Sequence, residues 1–214
     1  MNCIKGYEIV SELEETIYSI EDIALKHSLK IRRYDIIIYF LCTTRKINSR
    51  KLHLYIPVYK EQTRVPLIMN VHYPVSPREK LAFEYLKKGW AILSPTNLPN
   101  DIGFPKGRAG LAGDDLRYNM AMLDLARRLK FIDSNRIALK GGSAGGYQML
   151  MLSITHFGIL CGYCLSGIVN LAYEYKYIVE NNKINEEYEK YPEKFNHILD
   201  VNKFKPYVNT TIEH

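Results

Sequence analysis

Residues 136–150, RIALKGGSAGGYQML, place Ser143 among five glycine and alanine residues, between an apolar run and a helix-like run. A sharp turn from a strand into a helix needs small neighbours because the two elements approach each other closely. Gly141 and Gly145 complete a G-x-S-x-G match in this context, which predicts a nucleophilic serine above the carboxyl edge of a sheet. The backbone N–H of Ala144 would then face an oxyanion formed on an acyl carbonyl.

Two other interpretations of this turn are weaker. A phosphate-binding loop would carry G-x-G-x-x-G spacing or a Gly-Lys-Ser/Thr sequence, and neither occurs here. A purely structural turn would not require a serine with such small residues on both sides. The nucleophile interpretation is therefore favoured.

The rest of the pattern predicts an α/β protein. From residue 65 onward, short apolar runs alternate with helical patterns, and a hairpin of two β-branched and aromatic runs precedes them. Asp114 or Asp115 is expected to cap the middle helix. The alternation predicts parallel β-α-β units with helices on both faces of the sheet. The expected strands are 34–42, 51–58, 65–72, 90–94, 136–139 and 163–169, and the expected helices are 78–88, 114–130 and 145–156.

The amino-terminal segment, residues 1–33, is predicted to be an amphipathic helical segment. Between residues 7 and 30 the apolar residues follow helical spacing, with Ile9, Leu13 and Ile17 on one stripe. The segment has no apolar core behind a basic start, so a signal peptide is not expected and the predicted location is cytoplasmic.

Composition excludes several function classes. The formal charge of +6 is spread along the chain, which disfavours nucleic acid as a partner. Residues 141–173 contain no Asp, Glu, Lys or Arg, so a membrane-spanning helix at about 146–169 is one possible interpretation. Glycines interrupt this run, and a buried helix followed by a buried strand agrees better with those interruptions. Cys161 and Cys164 are expected to be buried thiols, and the serine site implies no metal and no cofactor.

The segment DSNRIALKGGSAGGY resembles the nucleophile region of the α/β-hydrolase fold, and in particular of the prolyl oligopeptidase-like serine peptidases and esterases. The resemblance covers roughly residues 34–172. It implies a mostly parallel sheet with helices on both faces, and attack by Ser143 on an ester or peptide carbonyl. Relatives usually carry His-Gly-Gly or Tyr-Gly-Gly after the third strand, where this chain has His72-Tyr73-Pro74. Tyr73 is therefore a candidate oxyanion donor, and His72 is expected to be a hydrogen-bonded residue at a strand end.

The family's catalytic triad continues with an Asp and then a His, each after a further strand. Residues 173–214 instead resemble a polar helical lid or tail, so the fold is expected to be incomplete at its C-terminal end. Asp200 and His214 stand in the required order but on no recognisable strand, and His156 is expected to be structural.

The leading hypothesis is a serine hydrolase acting on a small-molecule or peptide acyl substrate, incomplete as an isolated chain. A homodimer or a separate C-terminal piece would complete it. The alternative is a non-catalytic hydrolase remnant that acts in protein interaction or assembly.

Overall fold

A computed structural model describes residues 3–21, 24, 26–59, 64–96, 113–167 and 169. The described elements belong to one compact unit, residues 1–106 and 110–167. The strands are β1 (Ile4–Tyr18), β2 (Ser28–Leu41), β3 (Ile47–Pro57), β4 (Val65–Asn70), β5 (Ala91–Pro95), β6 (Ile132–Gly142) and β7 (Cys161–Leu165), and the helices are α1 (Lys80–Lys87), α2 (Asp114–Arg128) and α3 (Ala144–Thr155).

The strands form one twisted sheet in the order β1-β2-β3-β5-β4-β6-β7. The ladders from β1 to β5 are antiparallel, and those joining β5, β4, β6 and β7 are parallel. The sheet is therefore mixed, with its parallel half around β4 and β6. The carboxyl ends of β4, β5 and β6 meet at one edge, which is where open α/β sheets bind ligands.

Helices cover both faces of this sheet, as the sequence predicts. On one face, α2 and α3 pack on the larger apolar cluster, which includes Leu54, Met69, Leu123 and Leu139. On the other face, α1 packs on a smaller cluster that includes Ile17, Ile31 and Phe83. Strand β4 is buried along its whole length, as expected for a strand with helices on both sides.

The predicted amino-terminal helix is wrong. Residues Ile4–Tyr18 form β1, which pairs antiparallel with β2 along nearly its full length. The predicted apolar stripe does not form one buried face. Ile9 and Leu13 remain 43% and 53% exposed, while Ile17 is fully buried under α1. The open edge of β2 supplies backbone partners for the whole segment, and tertiary pairing of this kind overrides local periodicity.

Cross-strand charge pairs accompany the register of β1 on β2. Glu14 lies opposite Arg32, and the Glu14 carboxylate contacts Arg32 Nη2 at 2.6 Å and Lys30 Nζ at 2.9 Å. The hydrogen bond from Arg32, followed by that from Lys30, lowers the pKa of Glu14. These side chains are exposed, so each pair contributes little to stability. The register depends mainly on the buried face of β1, where Ile17 packs under α1.

Three smaller predictions can also be compared with the structure. The N-cap of α2 is Gly113, and Asp114 instead accepts a hydrogen bond from the Thr43 N–H at 2.6 Å. Cys161 is exposed and Cys164 half-buried, so the prediction of two buried thiols is wrong. Residues Ala144–Thr155 are a helix and Cys161–Leu165 a strand, and no described helix is long and apolar enough to cross a membrane. The predicted lid or tail, 173–214, lies outside the described residues.

Truncation of Ile17 tests the strand assignment, with Ile9 on the same strand as a matched control. Ile17→Ala should lower the free energy of unfolding by about 2–5 kcal/mol, because it opens a cavity in a packed cluster. Ile9→Ala should change it by less than about 0.5 kcal/mol. Urea unfolding followed by circular dichroism measures both. Equal costs at the two positions would contradict the assignment.

Candidate active site

Ser143 occupies the turn between β6 and α3 in a strained backbone conformation. Its φ of 50° and ψ of −121° lie in a region that residues with a Cβ rarely adopt. The Ser143 N–H is tied to the carbonyl of Leu165 on β7 at 3.0 Å, and the Ser143 carbonyl accepts from the Tyr147 N–H at 3.2 Å. The residue itself is exposed, so the turn presents its hydroxyl to solvent at the carboxyl edge of the sheet.

The glycines of this turn are required by close packing. A Cβ on Gly141 would collide with the carbonyl group of Gly145. A Cβ on Gly145 would stand 2.5 Å from the Val71 carbonyl oxygen and 3.2 Å from His72 Cβ. The first turn of α3 therefore rests directly on β6 and on the end of β4, which fixes the position of the Ser143 backbone.

Tyr73 and the two glycines that precede Ser143 line one cleft. A cavity of about 210 Å³ at the ends of β4, β6 and β7 is bounded by Tyr73, Gly141, Gly142 and Tyr163, among other residues. Tyr73 is 43% exposed, so its side chain is accessible from this side. Ala144 is the first residue of α3, and the first N–H groups of a helix lack intrahelical acceptors. Gly141 and Tyr73 thus line the same cleft at the carboxyl edge of the sheet, and Ser143, Ala144 and Gly145 follow Gly142 directly along the chain.

His72 lies behind this cleft and differs from the expectation. It is 2% exposed, has a φ of 73°, and packs edge-on against Tyr73 with ring centroids 4.5 Å apart. Neither ring nitrogen of His72 has a hydrogen-bond partner within the described part of the chain. The prediction that His72 is hydrogen-bonded is therefore wrong. Burial, and then the charge of Arg50, lower the pKa of His72 to about 4, so the imidazole is neutral near pH 7.

A buried polar layer between α2, α3 and β3 was not predicted from the sequence. Arg50 Nη2 lies 2.7 Å from Asp115 Oδ1, and Asn119 Nδ2 donates to Gln148 Oε1 at 2.6 Å. All four side chains are almost fully buried. The available signal is the spacing of Asp115 and Asn119, which lie one helical turn apart on the apolar face of α2. The layer ties the serine helix, through Gln148, to the neighbouring helix.

The described histidines do not provide a base next to Ser143. His156 follows the far end of α3, about 20 Å from Ser143 at a rise of about 1.5 Å per residue along the helix. Its Nδ1 contacts the Thr155 hydroxyl at 2.9 Å. Asp200 and His214 lie outside the described residues. In the part of the chain that the structure covers, no group of three or more His, Cys, Asp or Glu side chains could hold a metal ion.

A methyl group at position 145 tests the packing of the turn, with Gly6 as the control. Gly145→Ala should lower the free energy of unfolding by about 1–3 kcal/mol, because backbone atoms would have to move apart. Gly6→Ala should change it by less than about 1 kcal/mol, since the nearest atom to its Cβ would be 3.9 Å away. Chemical denaturation measures both, and a neutral Gly145→Ala would show that the contact is not tight.

The buried His72 also predicts a pH dependence of stability. The unfolded chain takes up a proton near the ordinary pKa of 6.5, but the folded chain only near 4. Protonation therefore favours unfolding, and stability should fall by about 3 kcal/mol as the pH drops from 6.5 to 4. His72→Asn, which suits a positive φ, should remove this part of the slope in urea titrations at several pH values. An unchanged slope in the variant would contradict the assignment.

The half of the chain that holds the serine turn matches a known family. The model of the prolyl oligopeptidase family covers residues 107–213. No curated protein matches the sequence. Three solved structures resemble the fold, at sequence identities too low to show more than the fold. The first is an acetyl xylan esterase from Paenibacillus sp. R4, with 15% identity and a TM-score of 0.50 over 94% of this chain and 68% of that chain. The second is a candidate hydrolase from Legionella pneumophila, with 16% identity and a TM-score of 0.51 over 83% of this chain and 55% of that chain. The third is a hypothetical protein from Pseudomonas aeruginosa, with 12% identity and a TM-score of 0.52 over 78% of this chain and 54% of that chain.

The chain spans roughly half to two thirds of the length of these structures. The family match includes β6, the serine turn and α3, and the structural matches cover most of the described sheet. The fold is of the α/β-hydrolase type, and the chain belongs to the prolyl oligopeptidase family.

Proposed function

We propose that the chain is a serine hydrolase in which Ser143 attacks the carbonyl carbon of an ester or peptide substrate. The observation that carries the proposal is the strained, exposed conformation of Ser143 at the start of α3. Such strain costs free energy and persists where a function needs the side chain in that place. Membership of the prolyl oligopeptidase family supports the same chemistry.

The reaction would proceed by acyl transfer. The Ser143 oxygen forms a bond to the carbonyl carbon while its proton passes to a base. The bond to the leaving alcohol or amine then breaks, and the leaving group takes up that proton. Water hydrolyses the acyl-serine by the same two steps. The Ala144 N–H at the start of α3, and the hydroxyl of Tyr73, which lines the adjoining cleft, would stabilise the oxyanion.

The base for Ser143 has to come from outside the described part of the chain. His72 is enclosed and His156 lies at the other end of α3. Activation of Ser143 therefore requires a histidine and a carboxylate from residues beyond those described, such as Asp200 and His214, or from a second chain. The site as described would take either a small acyl ester or a peptide.

A second candidate is a non-catalytic role in assembly. Among the described strands β7 is the outermost on its side, and Tyr163 and Leu165 are 55% and 59% exposed. Phe157 and Leu160, in the connection that leads into β7, are 93% and 56% exposed. Exposed apolar strands at a sheet edge favour pairing with another chain. The proposed occupant is a second copy of this chain.

Labelling with a fluorophosphonate probe tests the first proposal. The purified 214-residue chain should gain one probe mass in intact mass spectrometry, and Ser143→Ala should lose this labelling. Ser153→Ala is the matched control, because Ser153 is an exposed serine further along the same helix. Circular dichroism confirms that each variant is folded.

Labelling that survives in Ser143→Ala would contradict the assignment of the nucleophile. A folded chain that is not labelled would mean that Ser143 is not activated. If sedimentation velocity then showed a dimer that Leu165→Glu dissociates, the second candidate would replace the first.

A further inference from the structure

A second cluster of reactive side chains lies on the α1 face of the antiparallel half of the sheet. Ser11, Asp35, His53 and Ser94 form one cross-strand row, because each is the register partner of the next on β1, β2, β3 and β5. The alternation of strand residues places this row on the same face as Ile17 and Tyr55, which pack under α1.

Asp35 is the centre of this row. Its carboxylate accepts from Ser11 Oγ at 2.8 Å and from Arg33 Nε and Nη2 at 2.8 and 2.9 Å, and it contacts His53 Nδ1 at 2.7 Å. The hydrogen bond from Arg33, with those from Ser11 and His53, holds the pKa of Asp35 well below its usual range. Asp35 is therefore ionised, so it can only accept.

This carboxylate fixes the tautomer of His53. Because Asp35 accepts, His53 Nδ1 donates to it, and Nε2 is then the acceptor whenever the ring carries a single proton. The ring nitrogens point in nearly opposite directions, so Nε2 faces away from β2. It makes no hydrogen bond within the described ranges, and His53 is 28% exposed at its side chain. The structure thus presents an oriented, accessible acceptor.

His53 lines a cleft of about 500 Å³, larger than the cavity at the serine turn. This size suits a small organic ligand. Lys51, His53, Ser76, Glu79 and Thr96 supply its polar lining. Its apolar surface comes from two prolines, a valine and a tyrosine: Pro74, Pro95, Val75 and Tyr55.

The cluster is not a second Ser-His-Asp triad. Ser94 is 1% exposed, and its hydroxyl donates to the Pro95 carbonyl at 3.0 Å and accepts from the Val75 N–H at 2.9 Å. It therefore has no proton to give to His53. Nor does His53 serve Ser143, because β3 and β6 are three strand spacings apart, about 14 Å. The arrangement fits binding rather than covalent chemistry.

The charges of the cleft indicate the class of ligand. Lys51 and Glu79, which carry opposite charges, both line the cleft. The cleft therefore does not present charge of a single sign that would favour an anion or a cation. The imidazole and carboxylate accept hydrogen bonds from hydroxyl groups, and the ammonium donates to them. The prolines and Val75 suit the C–H face of a sugar ring.

We propose that this cleft binds a neutral polyhydroxylated ligand, a short saccharide, with His53 Nε2 accepting from a ligand hydroxyl. Pro74, Val75 and Glu79 line both this cleft and the smaller one at the serine turn. The two clefts are therefore neighbours, and a bound saccharide lies beside the serine turn. The binding does not depend on whether Ser143 is an active nucleophile.

Titration with trisaccharides tests the site. Xylotriose, cellotriose and maltotriose are the probes, with trigalacturonic acid as the charged comparison, and binding to the full chain is followed by calorimetry and by the imidazole ¹⁵N resonances. At least one neutral probe should bind and shift the Nε2 resonance of His53. His53→Ala and His53→Gln should weaken this binding about tenfold or more. Asp35→Asn should weaken it as well, because the tautomer is no longer fixed.

Two matched variants test whether the binding depends on this cleft and on His53. His27→Ala removes an exposed histidine outside the cleft and should bind as the wild type does. Ser143→Ala should also keep the binding, so a failure of the proposed hydrolase activity would leave this result intact. The proposal is overturned if no neutral probe binds, if binding survives both His53 variants in folded protein, or if only the acidic trisaccharide binds.

Discussion

The close contact between α3 and the end of β4 is the constraint on which the parallel half of the molecule depends. Gly145 lies so near the Val71 carbonyl that no side chain fits between them, and Gly141 is enclosed in the same way by the backbone of Gly145. The helix can approach so closely only if the chain turns sharply at Ser143, and that turn requires a positive φ. The strain at Ser143 and the tight packing beneath it are thus two aspects of one arrangement.

The polar residues of the interior support that arrangement from behind. Arg50 and Asp115 join β3 to α2, and Asn119 and Gln148 join α2 to α3. A buried ion pair adds little net stability compared with apolar packing, but removal of one partner is costly. The layer therefore favours a single alignment of α2 and α3 over its alternatives, and the charge of Arg50 adds to burial in lowering the pKa of His72.

The two halves of the sheet present different chemistry on the same edge. The parallel half holds a backbone-defined turn, where geometry comes from glycines and a helix start. The antiparallel half holds side chains aligned by strand register, where Asp35 orients His53. The segment from Pro74 to Glu79 separates the two clefts and contributes to both. Neighbouring sites of this kind allow one extended ligand to touch both.

Local patterns along the chain were enough to predict most elements of the α/β fold. The serine turn, the strands before and after it, and the helices α1, α2 and α3 could all be predicted, because each buried strand or amphipathic helix carries its own apolar period. The grouping of Gly141, Ser143, Ala144 and Gly145 in one turn could be predicted too, since the motif is continuous in the sequence.

Features that depend on pairing between distant segments emerged only in the folded sheet. The amino-terminal segment has helical spacing, yet it is a strand, because β2 offers an open edge and complementary charges that local periodicity does not record. The Arg50–Asp115 pair joins two residues that are far apart in sequence. The burial of His72 likewise results from the packing of the folded chain around it. The row from Ser11 to Ser94 exists only through the register of four strands. A pattern along the chain specifies which face a residue prefers, but only the folded sheet specifies what lies opposite it.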